Sequence, residues 1–230
     1  VNLHIRSGQT VGIIGGTGSS KSTLVNLISR FYDASIGTVK VGGINVQDYD
    51  VKSLRDQVAM VLQKNVLFSG TIKENLKWGN EEATDEEIIE ACKAAQAHDF
   101  IMSFPAQYET ELGQGGVNVS GGQKQRLSIA RAIAINPEIL VFDDSFSALD
   151  MKTDKILREE LAKRTKDKTV IIVAQRISTI LNADQIIVLE EGKIVGKGTH
   201  KELMKSCEQY KEIAMSQLSK EELEDAGGDR

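Results

Sequence analysis

Residues 10–32 read TVGIIGGTGSSKSTLVNLISRFY, and this stretch decides the fold. A β-rich run at 10–14 breaks into the glycine-rich loop GGTGSSKS at 15–22, and apolar residues then recur at helical spacing through 23–32. Backbone N–H groups in such a loop can converge on phosphate oxygens, and the following helix adds the positive end of its dipole. The pattern predicts a strand, a phosphate-binding loop and a helix. A glycine-rich turn that serves only the backbone is the alternative.

The loop departs from the strict phosphate-loop pattern at one position. GxxxxGK[ST] requires Gly directly before Lys, and this chain has Ser20 there. The extra Cβ and hydroxyl lie where backbone approaches phosphate most closely, so Ser20 should weaken binding or shift the loop. Lys21 would bridge the β- and γ-phosphates, and the Ser22 hydroxyl would ligate Mg²⁺. The candidate nucleotide-binding residues of this loop are Gly15, Gly16, Thr17, Gly18, Ser19, Ser20, Lys21, Ser22 and Thr23.

Composition excludes several classes of protein. Hydrophobic residues make up 40% and charged residues 27% of the 230, with 20 Gly and only 2 Pro, so disordered and collagen-like chains fit poorly. The longest apolar runs, at 58–62 and 170–174, are far shorter than the roughly 18 residues of a membrane-spanning helix. The net charge of −5 argues against a nucleic-acid surface. Cys92 and Cys207 lack zinc-site spacing and read as free thiols in a reducing compartment.

Short β-rich runs alternate with helical patterns along most of the chain. The runs lie at 38–41, 57–62, 139–142, 169–174 and 185–189, which predicts an α/β fold with a mostly parallel sheet flanked by helices. Residues 69–135 are dominated instead by helical patterns, which indicates an inserted helical lobe. We therefore predict one domain over 1–230, with a catalytic lobe at 1–68 and 136–218, the helical lobe at 69–135, a hairpin turning at Gly192, and a polar tail at 219–230. The N-terminus lacks Met and an apolar leader, so we expect a cut within a longer chain.

A second group of motifs identifies a family. VSGGQKQR starts at Val119 and runs into an amphipathic helix, and ILVFDD follows as an apolar strand ending in Asp143 and Asp144. The order of phosphate loop, SGGQ at a helix start and acid-terminated strand resembles the nucleotide-binding domain of ABC transporters, which has a P-loop NTPase, RecA-like fold. The resemblance covers essentially the whole chain. Standing alone, Asp143 could be a strand-end turn residue and SGGQ a plain helix cap.

The resemblance implies roles for particular residues. Asp143 matches the Walker B acid that holds Mg²⁺ through water. Gln63 matches the Q-loop glutamine, which touches Mg²⁺ or the attacking water, so the implied metal-site residues are Ser22, Gln63 and Asp143. SALD at 147–150 matches the D-loop between subunits. The signature residues expected to bind the γ-phosphate of ATP held by another subunit are Ser120, Gly121, Gly122 and Gln123.

Two departures from the family bear on hydrolysis. Family members carry Glu after the Walker B Asp, where this chain has Asp144, and His where it has Gln175. A shorter carboxylate is withdrawn from the attacking water, and Gln can donate a hydrogen bond but cannot shuttle a proton. With an intact signature, this asymmetry resembles the degenerate-site half of a heterodimeric multidrug exporter. Asp144, Gln175 and Gln63 are the catalytic candidates, with ATP and Mg²⁺ as ligands and weak hydrolysis at this chain's own site.

The implied partners are a second nucleotide-binding domain on a different chain and the transmembrane domains of the same transporter, with no nucleic acid. Residues 65–79 and 110–116 resemble the exporter branch, where these regions meet the membrane domains, so we expect a location at the cytoplasmic face of the cell membrane. The transported substrate would be chosen in those membrane domains. An inert interaction module and a homodimer with two weak sites remain alternatives. A DNA-maintenance ATPase fits poorly, because the interval from Gln63 to Ser120 is too short for a long coiled coil.

Overall fold

The computed structural model describes residues 1–64 and 66–219, which form two compact units. The first unit consists of Val1–Val51 and the described residues from Lys168 onward. The second unit is Lys52–Asp167 without residue 65. The predicted helical lobe at 69–135 falls within the second unit, and the lobe boundaries stay a prediction. Apart from Ser219, the predicted polar tail lies outside the described residues.

Strands and helices alternate along the described chain. The strands are β1 Thr10–Gly15, β2 Lys40–Val41, β3 Ile44–Asn45, β4 Val58–Val61, β5 Gly70–Thr71, β6 Glu111–Leu112, β7 Ile139–Asp143, β8 Thr169–Val173, β9 Gln185–Glu190 and β10 Lys193–Gly198. The helices are α1 Lys21–Asn26, α2 Val51–Gln57, α3 Ile72–Leu76, α4 Asp85–Ala94, α5 His98–Ser103, α6 Gly121–Ala134, α7 Met151–Arg164, α8 Ile177–Ile180, α9 His200–Ser206 and α10 Glu208–Gln217.

In the first unit, four strands lie side by side in the order β10-β9-β1-β8, and β2 pairs with β3 in a separate antiparallel sheet. β1 pairs in parallel with both β8 and β9, so that Ile13 lies opposite Val173 and Ile187, whereas β10 is antiparallel to β9. β8 is buried along its whole length, and β9 is buried except for Glu190, as expected for parallel strands covered on both faces. The apolar runs at 169–174 and 185–189 therefore correspond to strands that are buried on both faces. The predicted α/β class with a mostly parallel sheet is confirmed.

The helix after the phosphate loop is shorter than predicted. The apolar spacing favours a helix over 23–32, but α1 ends at Asn26. Beyond that point the next N–H groups bond to the carbonyls three residues earlier, from Leu27 to Leu24 and from Ile28 to Val25. The backbone of Arg30 is left-handed, with φ 55°. Turns replace the expected helix, so apolar spacing alone misplaced its end.

The second unit pairs β4 with β7 in parallel, with Val61 opposite Phe142, and is otherwise mostly helical. Three of its helices begin with capping boxes, at Thr71, Thr84 and Ser120, which satisfy N–H groups that a helix start leaves unpaired. The helical character predicted for residues 69–135 is confirmed, whereas the short antiparallel pair of β5 and β6 was not predicted.

Both cysteines are buried free thiols, as predicted, and burial raises the pKa of Cys92 to about 12. Its thiol therefore stays protonated at neutral pH. Within residues 1–64 and 66–219, no helix combines the length and the apolar character that crossing a bilayer requires.

Candidate functional site

The predicted phosphate loop connects β1 to α1 in the first unit. A Cβ at Gly15 would overlap the carbonyl oxygen of Leu189 and lie 2.8 Å from Ser19 Oγ, so only glycine fits there. A Cβ at Gly16 or Gly18 would meet no atom within 4 Å. The loop is therefore packed against β9 at its first residue and open at its next glycines, which leaves its backbone accessible to a ligand.

Lys21 holds its ammonium group against this loop. Its Nζ donates to the carbonyl oxygens of Gly15 at 2.8 Å and Gly16 at 3.0 Å, and to Ser19 Oγ at 3.2 Å. These three hydrogen bonds keep a cation beside the exposed loop backbone. Phosphate oxygens are stronger partners for an ammonium group than carbonyls, because the hydrogen bond is then assisted by charge on both sides.

Ser20 has a left-handed backbone, with φ 71° and ψ 27°, and its side chain makes no capping hydrogen bond to α1. A residue with a Cβ pays roughly 1–2 kcal/mol for this conformation, which glycine adopts freely. The strain explains physically why the phosphate-loop pattern has glycine at this position.

Replacing Ser20 with Gly should raise the free energy of unfolding by about 0.5–1 kcal/mol, because the relief of strain outweighs the greater flexibility of the unfolded glycine chain. Urea unfolding of Ser20→Gly against the unmodified chain measures this. Ser35→Gly is the matched control, since Ser35 is exposed and its φ is not positive, and it should give no gain. Equal gains in both variants would contradict the assignment of strain to Ser20.

Gln175 follows β8 at the edge of the sheet where the phosphate loop follows β1. The Ala174 N–H donates to the Ile13 carbonyl at 3.0 Å, so the ends of these two strands are joined. The Gln175 side chain is exposed. The first unit therefore brings Gln175 and the phosphate loop to the same edge, as the carboxyl ends of neighbouring parallel strands require.

The second unit brings together three other predicted residues. Asp143 ends β7 and is only 6% exposed, and Asp144 follows it with a left-handed φ of 50°. Gln63 lies two residues beyond β4, and its Nε2 donates to Asp144 Oδ2 at 3.2 Å. The buried Ser145 hydroxyl donates to the Val61 carbonyl at 2.6 Å, which fixes the turn after Asp144 to β4. Strained backbone of this kind is typical of functional sites.

The signature residues form the start of α6. The Ser120 hydroxyl accepts from the Gln123 N–H at 3.1 Å, and the Gln123 side chain accepts from the Ser120 N–H at 3.0 Å. SGGQ is thus a capping box. Gly121 remains exposed, and a Cβ there would meet nothing within 4 Å. The cap organises the helix start and leaves its glycine backbone open.

Gln125 is a buried polar residue whose contact with the predicted D-loop sequence reasoning missed. It is 3% exposed, and its Oε1 accepts from the Ala148 N–H at 3.0 Å, within the predicted D-loop. A Cβ at Gly122 would come within 3.2 Å of the Ala148 carbonyl, so this glycine admits the D-loop backbone. The available signal was spacing, since Gln125 lies four residues before the buried Ile129 on one face of α6.

The donors predicted for Mg²⁺ are a hydroxyl, an amide and a carboxylate. Ser22 belongs to the first unit, and Gln63 and Asp143 belong to the second. In the described part of the chain, no group of three or more His, Cys, Asp or Glu could hold a metal ion by itself. At a nucleotide site, Mg²⁺ needs only a few oxygen ligands from the protein, because phosphates and waters supply the others. The types of donor present therefore suit this ion.

A parallel α/β fold with a phosphate loop after its first strand defines a P-loop nucleotide-binding domain. Residues 1–147 match the family model described as ABC transporter. The chain belongs to the ABC transporter family and is a nucleotide-binding domain of that family, which confirms the predicted resemblance.

Known relatives agree with this assignment. The chain is 51% identical over 213 residues to a putative multidrug export ATP-binding/permease protein of Staphylococcus aureus, covering 93% of this chain and 37% of that protein. It is 52% identical, with the same coverage, to the putative multidrug export ATP-binding/permease protein YgaD of Bacillus subtilis. The solved structure of a bacterial Atm1-family ABC exporter with ATP bound is 36% identical, with a TM-score of 0.89, over 93% of this chain and 37% of that one. The chain thus spans little more than a third of these proteins.

Proposed function

We propose that this chain is the ATP-binding motor domain of an ABC exporter of the multidrug type. It binds Mg-ATP at its own weakened site and supplies VSGGQ to the site of a different partner chain. The observation that carries the proposal is the phosphate loop, in which Lys21 Nζ is held 2.8 Å from the Gly15 carbonyl beside open glycine backbone. The names of the S. aureus and B. subtilis relatives, which include multidrug export, support the transport role.

ATP binding requires the loop to exchange internal contacts for phosphate contacts. Lys21 leaves the carbonyls of Gly15 and Gly16 for phosphate oxygens, and the exposed loop amides donate to the same anion. Ser22, Gln63 and Asp143 are the residues that would hold Mg²⁺, and the ion would supply neutralisation of phosphate charge. Lys21 thereby gains hydrogen bonds to phosphate that are assisted by charge on both sides.

Hydrolysis at this site is expected to be weak. The Asp144 carboxylate is one methylene shorter than the Glu of active family members, and it accepts a hydrogen bond from the Gln63 amide at 3.2 Å. That bond holds the carboxylate beside Gln63, and because the side chain is one methylene shorter than Glu, it reaches less far toward an attacking water. Gln175 can donate to a γ-phosphate but cannot accept and return a proton near neutral pH. ATP therefore acts mainly as a clamp between subunits, and the partner's site supplies most of the turnover.

The contact with the membrane domains is assigned to the surface around Phe68 and Trp78. Their rings stack with centroids 4.4 Å apart, and Trp78 is 64% exposed. Asn75 fixes this surface, because its side chain accepts from the Phe68 N–H at 2.8 Å and donates to the Phe68 carbonyl at 2.9 Å. A rigid exposed aromatic pair suits docking of an apolar helix end. This assignment implies a location at the cytoplasmic face of the cell membrane.

A titration with fluorescent ATP and Mg²⁺ tests nucleotide binding. We expect saturable binding, and Lys21→Met should weaken it about tenfold or more, because charge-assisted hydrogen bonds are each worth about 1.5–3 kcal/mol. Lys166→Met removes the same charge from an exposed lysine outside the loop and should leave the affinity unchanged. No binding at millimolar nucleotide would overturn the proposal and favour an inert interaction module.

A further inference from the structure

The last residue of α10 bonds to the segment that carries Gln175. Gln217 Oε1 accepts from the Ile177 N–H at 2.8 Å, and its Nε2 donates to the Gln175 carbonyl at 2.8 Å. One side-chain amide therefore bonds to both ends of residues 175–177, which we call the switch segment. Both bonds are short, and both go to backbone atoms, so they fix the path of the chain.

The switch segment needs such a partner because of how α8 begins. The first N–H groups of a helix have no partner within the helix, and Arg176 at the cap position of α8 supplies no side-chain hydrogen bond. Ile177 is fully buried, so leaving its N–H unpaired would be costly. Gln217 supplies the missing cap from 40 residues further along the chain. On the other side, the Ala174 N–H is bonded to the Ile13 carbonyl of β1.

The helix that carries Gln217 is itself firmly anchored. Tyr210 and Ala214 of α10 are fully buried, and the Tyr210 hydroxyl is hydrogen-bonded to His200 Nδ1 at 2.6 Å. α10 packs against α8 and α9, and the Leu218 N–H closes its last turn on the Ala214 carbonyl. The Gln217 amide thus projects from a rigid base.

We propose that Gln217 is a positioning residue for the ATP site. Because it holds the backbone on both sides of Arg176, it sets the direction in which the exposed Gln175 side chain projects from the backbone. The inference rests on the proposed function, in which Gln175 donates to the γ-phosphate. The end of α10 therefore determines how well the site distinguishes ATP from ADP.

Amide hydrogen exchange of the full chain, measured by NMR, tests directly whether Gln217 holds the switch segment. Gln217→Met keeps the length of the side chain and removes both bonds, so the Ile177 amide should exchange about fivefold faster, as expected for the loss of one hydrogen bond. Gln217→Glu keeps an acceptor and should restore its protection. Gln209→Met, on the same helix but bonded to Glu190, should leave Ile177 unchanged. Unchanged exchange in Gln217→Met would overturn the proposal.

Nucleotide titrations then test the effect on the site. The ratio of ATP to ADP affinity should fall about fivefold in Gln217→Met and stay constant in Gln209→Met. In a Gln175→Ala background, Gln217→Met should cause no further fall, because the residue it positions is gone. An unchanged ratio, or the same fall in that background, would overturn the positioning role. Failure of the unmodified chain to bind either nucleotide would overturn the proposed function. The exchange rate of the Ile177 amide alone would then decide whether Gln217 holds the switch segment.

Discussion

The double variant Asp144→Glu, Gln175→His is expected to hydrolyse ATP about 10²-fold faster than the unmodified chain. The added methylene at position 144 moves the carboxylate outward by about 1 Å, and a misplacement of that size can cost about 10²-fold in rate. The hydrogen bond from Gln63 Nε2 to Asp144 Oδ2 holds the shorter side chain in place. Histidine at position 175, on the edge shared with the phosphate loop, adds a group that titrates near neutral pH.

Phosphate release at saturating Mg-ATP measures the gain. High protein concentration allows the intact VSGGQ of one copy to complete the site of another. Asp167→Glu adds the same methylene at an exposed position and should not change the rate. If the unmodified chain already turns over at about 1 s⁻¹ or faster, and Asp144→Ala abolishes that rate, the proposed weak site is wrong. A double variant that binds ATP but gains no rate would place the defect outside these two residues.

Features that depend on local pattern were predictable from the sequence. β1, β8 and β9 carry continuous apolar runs because both of their faces are buried. Helix starts in the second unit were equally visible, since capping residues and apolar periodicity lie within a few positions of each other, as at Thr84. The end of α1 was not predictable, because the apolar spacing continues beyond it. There the helix gives way to turns, in which N–H groups bond to carbonyls three residues earlier.

The contacts that organise the candidate site were less accessible to sequence reasoning. The motif indicated that Ser20 departs from glycine, but the left-handed backbone that makes this departure costly is a property of the fold. Gln125 and Gln217 act through side-chain amides on backbone 23 and 42 residues away. Helical spacing can indicate that such a side chain is buried, as it does for Gln125, but it does not identify the distant backbone group that the amide bonds. Such residues emerge only when the partners of buried N–H groups are identified.

Gly15→Ala is expected to lower the free energy of unfolding by about 3 kcal/mol, at the upper end of typical overpacking costs. Gly15 pairs with Leu189 in the β1–β9 register, and an added Cβ would overlap the Leu189 carbonyl oxygen. Relief would require β1 to separate from β9, but that strand is buried through Leu189. The contact cannot be removed by rotating a side chain, because the opposing atom belongs to the backbone. ATP affinity should fall as well, since the same shift moves the loop that holds Lys21.

Urea unfolding of Gly15→Ala and Gly16→Ala separates this contact from the general effect of adding a methyl group. A Cβ at Gly16 meets no atom within 4 Å, so Gly16→Ala should keep its stability or gain slightly as its unfolded chain becomes stiffer. Equal stability changes in the two variants would show that the Leu189 carbonyl does not restrict position 15. A Gly15→Ala variant that unfolds like the unmodified chain yet loses ATP binding would mean that the loop yields without disturbing the sheet. In that case glycine would be required at this position only for the ligand.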